Sequence, residues 1–141
     1  MGIAWIGVRS KTIETNPECL TTSTNSPSAI LPTDSQERKL FPLTSGVLDY
    51  FPAALAELAR VSYIGNEKHN PGEPLHHARG KSGDHADCIA RHLIERGTFD
   101  EVVANGRVYR VRHTAYVAWR ALALLQEELE SAGAPQARGA W

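Results

Sequence analysis

Cysteine is scarce in this chain, long apolar runs are missing, and neither sign of charge dominates. The two cysteines, Cys19 and Cys88, lie far apart, and neither sits in a CxxC or Cys/His zinc spacing. Spacing therefore gives no basis for a disulfide framework or a structural zinc site, and both are read as free thiols. No window of about eighteen apolar residues occurs. The apolar part of MGIAWIGVRSK is too short for a secretory signal and lacks a cleavage site. No membrane association is expected, and a cytoplasmic setting is. A formal net charge of -1 creates no overall field to attract nucleic acid. Arg107, Arg110, Arg112 and Arg120 spread around a connection and a helix instead of lining one face, so nucleic acid is not an expected partner. What is present, 42% apolar and 22% charged residues in a chain of 141, suits one globular domain with a small core.

The chain divides into three parts. Residues 10–35 hold eleven Ser/Thr, three Pro and two Asn without a period of 2 or 3.6, so they offer no stripe whose burial would offset ordering entropy. Residues 1–40 are read as a flexible arm, in which IAWIGV is a strand, a docking peptide or a disordered start. From Phe41 the character changes. Pro52 suits a first helical position and Gly65 a left-handed stop, which predicts a helix over Pro52–Tyr63. NEKHNPGEPLHHARGKSG is punctuated by Pro and Gly and reads as a loop. Ser82 suits the cap of a second helix, with Asp84 in its first turn and Gly97 beyond its end. Asn105-Gly106 between β-branched runs marks a hairpin turn, or else a plain loop. RHTAYVAWRALALLQEELESAG is a long helix ending near Gly133, and 133–141 is a tail.

Three main helices predict an all-α fold, a small helical bundle over residues 41–132, with at most a short β-hairpin before the last helix. On the second helix Ala86, Ile89, Ala90, Leu93 and Ile94 form the apolar set expected to face the core. On the third, Trp119, Leu122, Leu125 and Leu129 are the expected core, while Val117 and Leu124 point to a second contact and hence a homo-oligomer.

The chemistry-bearing residues cluster mid-chain: all six histidines lie between His69 and His113, and from Arg60 to Arg120 ten Lys/Arg face seven Asp/Glu. Asp84, Asp87, Cys88, Arg91, His92 and Glu95 share the polar arc of the second helix. Asp87 and Arg91, four apart, form a surface ion pair or, alternatively, a magnesium ligand and a phosphate clamp. His113, Tyr116, Arg120 and Glu127 form a seam on the third helix that faces water or lines a cleft. Glu57 neighbours Val61 and Ile64, and if partly buried it needs a cation or hydrogen bonds. Lys68, His69, His76, His77, Arg79 and Lys81 put basic groups on a segment suited to a lid over an anion. Adjacent His76 and His77 do not easily share one metal, and no HExxH motif occurs.

PAALAELARVSYIGNEKHN, DCIARHL (Asp87 to Leu93) and RHTAYVAWRALALLQ resemble the N-terminal domain of a phage and bacterial dATP/dGTP diphosphohydrolase family, over about Phe41 to Glu130. The resemblance implies a MazG-like, all-α nucleotide pyrophosphohydrolase that cuts a purine deoxynucleoside triphosphate to monophosphate and pyrophosphate with magnesium. It implies Glu57 and Asp87 at the metal, and His92 and His113 with them as catalytic groups. Lys68, His69, Arg91 and Arg120 are then the substrate-binding set. The acidic EExxE helix of MazG-type enzymes is not present here, and Tyr116 stands where relatives often show a second histidine. The alternative reading is a noncatalytic helical structural or adaptor protein, within a virus particle for instance, that uses its terminal arms for assembly.

Overall fold

The computed structural model describes residues 29–141. IAWIGV, Cys19 and most of the Ser/Thr/Pro arm therefore lie outside the described residues. In chain order the elements are α1 (Ser35–Arg38), a π-helical turn (Thr44–Leu48), α2 (Pro52–His69), α3 (His85–Ile94), β1 (Phe99–Ala104), β2 (Arg107–Arg112) and α4 (His113–Ser131). The two strands pair antiparallel in one sheet. This corrects the all-α expectation: the fold is mixed, and its hairpin is part of the core.

The hairpin follows from local sequence. Asn105 and Gly106 take φ of 48° and 69°, the left-handed pair that a tight two-residue turn needs. The register sets Val103 opposite Val108 and Val102 opposite Tyr109. Period-2 alternation then turns Val102, Ala104 and Val111 inward and leaves Val103 and Val108 outside. Val61 and Ile64 of α2, Val102 and Val111 of the hairpin, and Ala115 of α4 form the core, walled by Tyr109, Tyr116 and Trp119. Val111 is its one completely enclosed large side chain among the described residues.

Pro52 opens α2 as expected, since a first-turn N–H needs no partner. The helix does not stop at Gly65 but runs to His69. Pro71 ends it instead, because its ring disfavours helical geometry at Asn70, whose φ is -140°. Asn66, expected in a loop, is buried in the last turn, and its Nδ2 donates to the Glu73 carbonyl at 2.8 Å.

The two later helices depart from the expected facing, although Trp119 packs against the core as expected and Ile89 is half-buried. On α3 the buried residues are His85 and Cys88, while Leu93 and Ile94 are 42% and 80% exposed. On α4, His113, Ala115 and Ala123 are buried, whereas Leu122, Leu125 and Leu129 are 52%, 49% and 48% exposed. Val117 and Leu124, reserved for a partner by the sequence, are half-buried. Helices α3 and α4 pack extensively on each other; His85, Cys88 and His92 turn inward from α3, with His85 beside Arg120 and His92 beside His113, while Asp84, Asp87, Arg91 and Glu95 stay on the exposed side. Each polar group buried at the joint faces another polar group, His85 between Arg120 and Glu127 and His92 against His113. Ser82 does not cap α3; its hydroxyl donates to Asp84 Oδ1 at 2.8 Å, and Asp84 is the capping residue.

The segment after α4 is tied to its own chain. Gly133, with φ of 105°, turns it back. His77 N–H donates to the Gly139 carbonyl at 2.6 Å and Arg79 N–H to the Trp141 carbonyl at 3.2 Å, with His77 and Ala140 paired in parallel. Glu130 Oε1 accepts from Ala137 N–H at 2.9 Å, and the Trp141 ring stacks on His76. Residues 134–141 thus strap the 70–84 loop against α4.

Candidate functional site

The polar seam of α4 meets partners along its length. At the helix start His113 Nδ1 lies 2.9 Å from His92 Nδ1 and 3.1 Å from Glu95 Oε2. One turn on, Tyr116 stacks on the His92 ring at 4.7 Å, and its hydroxyl donates to Asp100 Oδ2 at 3.3 Å. Burial, reinforced by the Asp100 charge, pushes the Tyr116 hydroxyl up to about 12, so it stays a neutral donor. Burial, and then the neighbouring His113, lowers the His92 pKa, so His92 presents a neutral ring at neutral pH. Arg120 donates to Ser82 Oγ at 2.7 Å and lies 3.4 Å from His85 Nδ1. Glu127 accepts from Arg79 at 3.0 Å and lies 3.4 Å from His85 Nε2. The seam lines a joint, not open water.

Beside this joint, α2, α4 and the strapped loop enclose a groove of about 1080 Å³. Lys68 and His69 reach it from the end of α2, Arg120 from α4, and His76, His77 and Lys81 from the loop. No carboxylate is among its lining residues. The other wall is apolar, with Leu58, Trp119, Leu122 and Leu125. His77 sits edge-on to Trp119 at 4.9 Å, and burial followed by the Arg79 charge lowers its pKa. The arrangement offers a positive surface beside a flat aromatic one, the two features a phosphorylated heterocycle asks for.

The expected site residues divide. Lys68, His69 and Arg120 line this one groove, and His92 and His113 touch each other. Arg91 is not among the lining residues; its guanidinium donates to Asp84 Oδ2 at 2.6 Å, so the expected Asp87–Arg91 pair is replaced by Asp84–Arg91. That bond, helped by Ser82, holds the Asp84 carboxyl at about 2. Both side chains of the pair are more exposed than buried, so it adds little to stability. Asp87 is exposed. Glu57 is half-buried, and Arg60 donates to it at 2.7 Å while also donating to the Arg110 carbonyl at 3.0 Å.

Glu57 and Asp87 do not fit the expected magnesium pair. Neither lines the groove, Glu57 is neutralised by Arg60, and no trio of ligating side chains among the described residues includes either one. The trio that does converge is His92, Glu95 and His113. Glu95 was on the expected polar arc without being singled out. Its spacing of three from His92, which sets both on one side of a helix end, was the available signal. Comparison with known protein families, characterised proteins and solved structures gave no match.

Proposed function

We propose that the groove between α2 and α4 binds a purine deoxynucleoside triphosphate and that the chain cleaves it to monophosphate and pyrophosphate. The observation that supports this reading is the groove lining: Lys68, Lys81 and Arg120 with three histidines, and no carboxylate. A triphosphate finds cations there without acidic competition, and guanidinium matches phosphate oxygen geometry. Trp119 offers a face for the base. His77, neutral at the groove wall, is placed to take a proton from water. Preference for a purine and for the deoxy sugar stands on the family resemblance alone. Magnesium belongs to this proposal as the counter-ion that accompanies the triphosphate, not as an ion lodged on Glu57 and Asp87.

The test is a panel of deoxynucleoside triphosphates in magnesium buffer, followed for pyrophosphate release and, separately, for binding by titration. Purine triphosphates should bind and release pyrophosphate. Lys68→Ala and Arg120→Ala should each weaken binding by roughly tenfold or more, the loss of one charge-assisted hydrogen bond. A folded wild-type protein that binds none of the panel overturns the reading. The adaptor alternative loses one of its two attachment arms, because residues 134–141 are engaged by the chain's own loop.

A further inference from the structure

We propose that His92, Glu95 and His113 form a binding site for a divalent transition-metal ion of the zinc class, at the joint of α3 and α4. This proposal is independent of the nucleotide reading, since none of the three residues lines the groove.

Geometry comes first. One ligand atom from each side chain lies within 4.8 Å of the other two. The Nδ1–Nδ1 separation is 2.9 Å and the Nδ1–Oε2 separation 3.1 Å. Zinc bonds of about 2.0–2.1 Å in a tetrahedron put neighbouring ligands about 3.3 Å apart. Those two separations need to widen by only a few tenths of an ångström to admit the ion.

Proton accounting points the same way. His113 Nδ1 faces both His92 Nδ1 and the Glu95 carboxylate, yet a neutral imidazole carries one N–H. If both rings hold that proton on Nδ1, two N–H groups point at each other. If one does, a single proton is left to serve two lone-pair atoms. If neither does, three lone pairs converge on nothing. A divalent ion satisfies all three at once.

The surroundings suit a metal as well. His92 is stacked by Tyr116, and His113 is held at the helix start by its own N–H, which donates to the Thr98 carbonyl at 3.4 Å. The stacking orients the His92 ring, and the backbone bond fixes where His113 sits, before an ion arrives. The Glu95 side chain is exposed, so the ion has access from solvent and water can complete the coordination. Two imidazole nitrogens with one carboxylate favour zinc, cobalt or nickel over magnesium or calcium.

The full chain, stripped with a chelator and dialysed, should be titrated with Zn²⁺ by calorimetry and with Co²⁺ by visible absorption. One ion should bind per chain, with proton uptake by buffer, a cobalt spectrum of low coordination number, and no competition from millimolar magnesium. His92→Ala and Glu95→Gln should each weaken zinc by roughly a hundredfold. Glu95 is exposed, so its variant folds and decides the matter even if His92→Ala does not. Absence of saturable zinc binding overturns the proposal. So does binding that survives Glu95→Gln unchanged, or that falls with His76→Ala instead, which would locate the ion on the loop.

Discussion

Val111, near the end of β2 opposite Asp100, is the residue on which the small core most depends. Val111→Ala should cost about 2 kcal/mol, from lost burial plus the cavity left behind, and chemical denaturation would measure it. The histidines set a pH dependence. His92 and His77 have folded pKa values below their ordinary 6.5, so on acidification the unfolded chain takes up protons first. Stability of the metal-free protein should hold above about pH 6.5 and fall as the pH drops below it, until the folded-state values are passed. A much smaller loss should follow between pH 3.8 and about 2, where Asp84 is protonated and its solvent-exposed bonds to Arg91 and Ser82 are given up. Denaturant midpoints measured across pH should show both steps. His92→Gln should shrink the first one and leave the second in place.

Among the elements, the strap over residues 134–141 makes a specific prediction. The strap carries the backbone partners of His77 and Arg79, so removing it should expose the 70–84 loop to trypsin at Arg79 and Lys81 while α2 and the hairpin stay protected. Nucleotide affinity should fall with it, because His76, His77 and Lys81 lose their placement. How far the elements were legible depended on how local their causes are. Pro52, Gly133 and Asn105-Gly106 act through their own backbone angles, and each marks the boundary or turn it was expected to mark. The end of α2 was misjudged because Gly65 only permits a stop, whereas Pro71 enforces one. The facing of α3 and α4 was not legible. A 3.6-residue period reveals a stripe but not which neighbour it meets, and here His85, Cys88 and His92 of α3 turn to α4 while most of the polar arc stays exposed. The His92–His113 contact was hidden for the same reason, since the intervening hairpin brings the two helix ends together.

For the whole molecule, polar packing of α3 on α4 leaves Ala86, Ala90, Leu93 and Ile94 facing outward. The homo-oligomer expected from Val117 and Leu124 has those two side chains half-buried here; a second copy of the chain covering this α3 face is a separate proposal. This face lies apart from the groove, so association and nucleotide binding do not compete. Leu93→Asp and Ile94→Asp should shift the sedimentation coefficient to that of a single chain, and a wild-type protein that already sediments so would reject the arrangement. Among the described residues no helix is long and apolar enough to cross a membrane. If a second copy covers this face, the melting temperature should climb with each tenfold increase in concentration and sag toward the nanomolar range, a drift that a self-sufficient monomer would not display.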